Sequence, residues 1–189
     1  MKIVLFIIGL LFVSFTFAQE IESPQEIRTE RFIEKSGDYV QFAPLAFSLI
    51  SILDKKDTSG AWQLAKTTST TILATTLLKH AINKPRPEGQ TDGLSFPSGH
   101  TAFAFSGAAF IQKRYGWKYC IPAYLVAGYV GYSRIEGLND RHDGWDVLAG
   151  AVVGIGSAYL FTTPYTKEHL ELSYTSQEGT PLLGITYSF

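Results

Sequence analysis

Long apolar stretches alternate with short polar clusters along the whole chain. Ile3 to Phe17 is nearly all apolar, and Tyr39 to Leu53 is strongly so until Asp54-Lys55-Lys56-Asp57-Thr58-Ser59-Gly60 closes it. Ala61 to Ile82 predicts a long helix with a Thr-rich middle, which must stop near Asn83 because Pro85 and Pro87 disfavour helical conformation in the residues before them. Further helices are predicted from about His100 to Tyr115, from Tyr119 to Tyr132 and from about Trp145 to Thr162. Many small residues in the first and last of these suit close helix packing. Ile21 to Glu34 is charged with scattered apolar positions, as in an amphipathic helix or an extended arm. From about residue 169 the period changes: Leu170, Leu172 and Tyr174, then Leu183, Ile185, Tyr187 and Phe189, alternate with polar residues around Gln177-Glu178-Gly179, which predicts a terminal β-hairpin. The expected fold class is all-α, a bundle of five to six helices with a short C-terminal hairpin.

The first apolar run follows Lys2 and ends in Thr16-Phe17-Ala18, small residues that suit a signal-peptide cleavage site after Ala18. Residues 1–18 are then a signal peptide and 19–189 a single domain, with an uncleaved anchor as the alternative. Cleavage removes one of the 16 basic residues and none of the 17 acidic ones, leaving a formal charge of −2 that gives no support for nucleic-acid binding. The single cysteine, Cys120, rules out an internal disulfide and lies in an apolar run, where a buried, inert thiol is expected.

Three polar interruptions carry the chemistry. Lys79 and Arg86, with six residues between them, precede Pro87; Pro97-Ser98-Gly99-His100 opens a helix; Ser133-Arg134 and His142-Asp143-Gly144-Trp145-Asp146 flank a polar loop. Lys79, Arg86 and Arg134 are cations suited to phosphoryl oxygens. Ser98 and Gly99 sit where backbone N–H groups and the helix dipole favour an anion. His142 and Asp146 are four apart, so the carboxylate can hold one imidazole nitrogen, and His100 is left to handle protons. Two histidines around an oxyanion cradle point to phosphoryl transfer through a phosphohistidine.

These motifs resemble those of the type 2 phosphatidic acid phosphatase superfamily, which includes bacterial acid phosphatases and vanadium haloperoxidases. Its signature is K-x6-R-P, P-S-G-H and S-R-x5-H-x3-D. The first two are matched unchanged, whereas seven residues, not five, separate Arg134 from His142. The resemblance implies His142 as nucleophile, Asp146 as its orienting partner and His100 as general acid and base. It implies Lys79, Arg86, Ser98, Gly99 and Arg134 as phosphate ligands, with Arg141 the alternative to Arg134 because of the longer loop. It implies hydrolysis without a metal or other cofactor, on a phosphorylated lipid or a small phosphate ester. The alternatives are a haloperoxidase, whose cofactor would be vanadate on His142, and a non-catalytic envelope protein.

Family members are both soluble and membrane-embedded. Six runs can be threaded as spans with the motifs on the exported side and the basic turns Lys55-Lys56 and Lys113-Arg114-Lys118 inside. The short apolar run after His100, the Thr content and Lys66 of Ala61 to Ile82, and a mean hydropathy of +0.07 favour instead an exported, periplasmic or envelope-associated globular bundle.

Overall fold

The computed structural model describes residues 23–87, 93–137, 142–166, 170–177 and 180–187. The expected signal peptide and Arg141 lie outside the described residues. Among the described residues six helices precede one hairpin: α1 (Pro24–Val40), α2 (Ala43–Asp54), α3 (Thr58–Ile82), α4 (Gly99–Tyr115), α5 (Trp117–Ile135), α6 (Gly144–Phe161), β1 (Leu170–Gln177) and β2 (Thr180–Tyr187).

Local chemistry sets most of the boundaries. Ser23 and Glu26 form a reciprocal capping box at the start of α1, with Pro24 in the first turn where its missing N–H costs nothing. The apolar stretch from Tyr39 to Leu53 is not one element: α1 runs on to Val40, and Pro44 lies in the first turn of α2. Asp57 caps α3 through the Gly60 amide at 2.8 Å, and Asn83, left-handed at φ 51°, ends it at the expected place. Gly116, at φ 96°, separates α4 from α5. In the hairpin, Leu170 pairs with Tyr187 and Gln177 with Thr180, antiparallel throughout.

The central element is α4, which packs against α2, α3, α5 and α6. Helix α6 lies parallel to α4, and the approach is close: a Cβ on Gly150 would overlap the Ser98 carbonyl, and one on Gly154 the Ala102 carbonyl. The apolar core is built from small residues, Ala104, Ala108, Ala123 and Ala127 with Ile111, Cys120 and Val130, and a second cluster holds Ile52, Leu64, Ala109, Phe110 and Ala158. Cys120 is a buried free thiol. On α3 the buried positions include Thr67, Thr71 and Thr75, and the hydroxyls of Thr71 and Thr75 bond back to the carbonyls of Thr67 and Thr71.

The helices run up and down between two ends. One end gathers the C-termini of α1, α3 and α5 with the N-termini of α4 and α6, and it carries all three polar motifs. At the other end Arg114 makes a buried ion pair with Asp57, Nη2 to Oδ1 at 2.6 Å, and Lys55 lies about 6 Å from the ring centres of Tyr115, Tyr119 and Tyr165.

Two alanine substitutions on α6 test the close approach. Gly154→Ala must push α6 off α4 and is expected to lose about 1–3 kcal/mol. Nothing lies within 4 Å of a Cβ on Gly156. Gly156→Ala is therefore expected to gain up to about 1 kcal/mol from helix propensity alone. Thermal unfolding of the two variants side by side checks this, and equal shifts would contradict the packing.

Candidate active site

Asp143 and Asp146 build the start of α6 as a capping box, with the Asp146 amide on Asp143 Oδ1 at 3.0 Å and the Asp143 amide on Asp146 Oδ2 at 3.1 Å. The Asp146 side chain is fully buried, and a second acceptor site on Oδ2 takes the hydroxyl of Ser95. Its Oδ1 accepts from Lys84 Nζ at 2.8 Å, and the same ammonium reaches Asp143 Oδ2 at 2.5 Å. The Lys84 amine loses some basicity to burial but gains more from these two carboxylates, so its pKa lies above the ordinary value. Asp143 is correspondingly held low, first by Lys84.

His142 is buried just before this cap, its amide donating to the Arg134 carbonyl at 3.2 Å. Its Nδ1 lies 3.5 Å from Asp146 Oδ2 and makes no hydrogen bond among the described residues. The two side chains are thus close without being hydrogen-bonded. Burial is the largest influence on this imidazole; the charges of Lys79 and Arg86 add to it and outweigh Asp146, lowering its pKa to about 4. At neutral pH the ring is uncharged, the form in which it can be a nucleophile.

Lys79 stands on the last turn of α3, its Nζ on the carbonyls of Leu94 at 2.8 Å and Ser95 at 3.3 Å. Arg86 follows in the next loop. Its Nε and Nη1 are buried and have no hydrogen-bond acceptor among the described residues. Leaving guanidinium donors buried and unpaired costs about 1–3 kcal/mol or more. Phosphoryl oxygens have the geometry to pair with such donors.

Ser98 caps α4, its hydroxyl meeting the Thr101 amide and hydroxyl. The sequence suggests free amides at Ser98 and Gly99, but the Ser98 N–H is committed to the Asp146 carbonyl at 2.9 Å. That bond ties the start of α4 to the start of α6. Around Gly99 a Cβ would meet nothing within 4 Å, so the N-terminus of α4 is open there. His100, on the first turn, has Nε2 3.3 Å from Asp38 Oδ1.

Arg134 ends α5 with its guanidinium fully buried. Nη1 donates to Asp38 Oδ1 at 2.7 Å, Nη2 to the Glu34 carbonyl at 2.6 Å and Nε to Ser133 Oγ at 3.2 Å. It therefore reaches His100 through Asp38 of α1, a connection the motif spacing does not reveal. Lys84, Ser95 and Asp38 are the residues missed from sequence. Lys84 could have been found, since it stands inside the Lys79 to Arg86 spacing; Asp38 lies 62 residues before His100 and gives no local signal. His80 points elsewhere, to the Thr76 carbonyl. Among the described residues no group of three or more His, Cys, Asp or Glu side chains could hold a metal ion.

The sign of the His142 shift gives a pH test. A depressed imidazole pKa means that nucleophilic activity is present above about pH 4 and lost as the pH falls through it. Lys79→Met removes one cation that holds this value down. The acid limb of phosphoenzyme formation is expected to move to higher pH in Lys79→Met than in wild type, whatever the change in maximal rate. An unmoved or lowered limb would contradict the assignment.

Comparison with known proteins agrees with this geometry. The PAP2 superfamily profile matches residues 60–169. The chain is 30% identical to lipid A 4'-phosphatase of Helicobacter pylori over 171 residues, 83% of this chain and 84% of that one. It is 45% identical to lipid A 1-phosphatase of Porphyromonas gingivalis over 80 residues, which are 41% of this chain and 17% of the relative. Among solved structures, Aquifex aeolicus LpxE superposes with a TM-score of 0.55 at 24% identity, covering 79% of this chain and 92% of the other. A transmembrane PAP2 type phosphatidylglycerolphosphate phosphatase from Bacillus subtilis superposes with a TM-score of 0.56 at 22% identity, covering 84% and 92%. With the motif side chains brought to one end of a helical bundle and the profile spanning more than half its length, the chain belongs to the PAP2 superfamily.

Proposed function

We propose that this PAP2 phosphatase removes a phosphate from a phosphorylated lipid through a phosphohistidine on His142. The observation that carries the reading is the pair of buried Arg86 donors, without an acceptor among the described residues, whose charge acts on the buried His142 imidazole. With Nδ1 turned to Asp146, Nε2 attacks phosphorus; the N–P bond forms as the ester P–O bond breaks, and the leaving oxygen takes a proton from His100. Water then attacks the phosphohistidine and gives its proton back to His100, releasing phosphate and neutral His142. Lys79, Arg86 and the amides at the start of α4 stabilise the charge on the transferring group, work that needs no metal ion.

Relatives named as lipid A phosphatases and a probable diacylglycerol pyrophosphate phosphatase support a lipid substrate. The surface supports a lipid environment as well. On α3 the Thr ladder faces inward while Trp62, Leu73 and Leu77 are each at least 60% exposed. Helices α5 and α6 likewise present Ile121, Leu125, Val152 and Leu160 outward over interiors of Ala, Gly and Ser. Small and hydroxyl residues inside with large apolar ones outside is the arrangement of helices packed in a bilayer. Among the described residues only α6 is long and apolar enough on average to cross a membrane. Averaged over both of its faces, α3 is more polar than the face it turns outward. This reading replaces the globular form favoured by hydropathy with an embedded bundle, its site at the exported face and its basic end with Lys55, Lys56, Lys113 and Lys118 at the other.

Phosphate release from lipid A, phosphatidate, a prenyl diphosphate and soluble esters tests the substrate class. At least one lipid is expected to exceed every soluble ester in kcat/KM by about 10-fold or more, a contribution of about 1.4 kcal/mol from remote contacts. His142→Ala is expected to abolish turnover and the acid-labile phosphoenzyme together; a label mapped to His100 instead would sink the mechanism. For location, the expressed protein should stay with membranes through carbonate washing and yield an N-terminus near Gln19. Release into the wash would contradict embedding, and an intact Met1 would contradict cleavage.

A further inference from the structure

The site contains a second carboxylate and imidazole pair beside His142 and Asp146. Asp38, on α1, lies outside the profile-matched region and outside all three motifs. One of its oxygens, Oδ1, stands 3.3 Å from His100 Nε2 and accepts from Arg134 Nη1 at 2.7 Å. The contact is built rather than incidental. A Cβ on Gly37 would overlap Ser133 Oγ and come within 2.7 Å of Arg134 Nη2, so α1 reaches α5 only because residue 37 is glycine. That approach also brings the Glu34 carbonyl onto Arg134 Nη2 at 2.6 Å. Arg134 is thereby fixed on three sides, and Asp38 Oδ1 is held where it meets the imidazole.

We infer that Asp38 is a positioning residue for His100, setting the plane and tautomer of the acid–base imidazole while Arg134 holds Asp38 in place. The inference rests on the phosphohistidine mechanism proposed above. With the proton on Nε2 directed to the carboxylate, exchange with the reacting oxygens passes through Nδ1. When the ester bond breaks, His100 gives its Nδ1 proton to the leaving oxygen. When water attacks the phosphohistidine, Nδ1 takes a proton back, and the imidazolium so formed is stabilised by Asp38. The relation is the one in which a carboxylate orients a catalytic histidine and compensates its charge. It also gives the third-motif arginine a role through another residue: Arg134 acts on His100 by way of α1.

The test uses full-length protein and reads phosphoenzyme formation by rapid quench with two esters, nitrophenyl phosphate and a simple alkyl phosphate. The nitrophenolate leaves without a proton, whereas the alkoxide needs one. Asp38→Asn keeps an oxygen for Arg134 but no charge for His100. It is expected to slow phosphorylation by the alkyl ester about 10- to 100-fold, part of the roughly 10²–10⁴ a positioned acid supplies, and by the nitrophenyl ester less than about 3-fold. In a His100→Ala background the same substitution should add no further loss, because the group it positions is gone. Equal slowing with both esters, or an additive loss without His100, overturns the inference. Should Asp38→Asn not fold, Asp38→Glu, which keeps the charge for Arg134, takes its place. An alkyl-selective loss is expected there too, and one blind to the leaving group overturns the inference. The wild type is read in the same experiment: if neither ester phosphorylates it, the underlying mechanism falls and this role with it, whereas a phosphorylating wild type with ester-blind variants removes Asp38 alone.

Discussion

The buried carboxylate of Asp146 is the constraint on which the rest of the site depends. A charge taken fully out of water must be matched nearly completely, or folding loses several kcal/mol. Lys84, the Ser95 hydroxyl and the Asp143 amide together meet that demand. Each brings a different piece of chain: Lys84 the loop after α3, Ser95 the loop before α4, and Asp143 the cap of α6. The Asp146 backbone adds a fourth piece, because its carbonyl receives the Ser98 amide. Satisfying one carboxylate therefore gathers the chain segments around the candidate site, and His142 is placed by the same assembly.

The proposed nucleophile and the proposed acid differ in how they are supported. His142 is buried, surrounded by cations and kept neutral, so its environment chooses the protonation state in which it acts. His100 is about one-third exposed and touches a carboxylate held by a buried arginine. One histidine is thus tuned by desolvation and field, the other by orientation. That division suits the chemistry, since a nucleophile must stay unprotonated whereas an acid–base group must gain and lose a proton in every cycle.

Local rules made much of this legible in sequence. Pro85, Pro87 and Asn83 ended α3 where expected, Ser98 and Asp143 began α4 and α6, and period-two alternation gave the hairpin from Leu170. The motif residues were readable because types and spacing together are specific. What stayed hidden depends on which way a helix faces or on contacts distant in sequence. The Thr run of α3 reads as polarity hostile to a bilayer, yet its hydroxyls point inward and bond to their own helix. Asp38 is an ordinary acidic residue near a helix end until α1 is folded against α5. The extended third motif raises the question of how Arg134 reaches phosphate; in the structure its guanidinium reaches Asp38 and Glu34.

The parallel course of α4 and α6 has an energetic side. Their glycine-tight contact sets two helix dipoles side by side with positive ends together, each worth about 0.3–1 kcal/mol toward a nearby charge and repelling the other. Asp146 compensates the α6 end, and on the proposed mechanism the substrate phosphate would compensate the α4 end. It would then be a counter-ion of the fold as well as a reactant. Its binding would stabilise the bundle with the logarithm of ligand concentration over the dissociation constant, and the helix pair would be under most internal repulsion in the interval between one phosphate leaving and the next arriving.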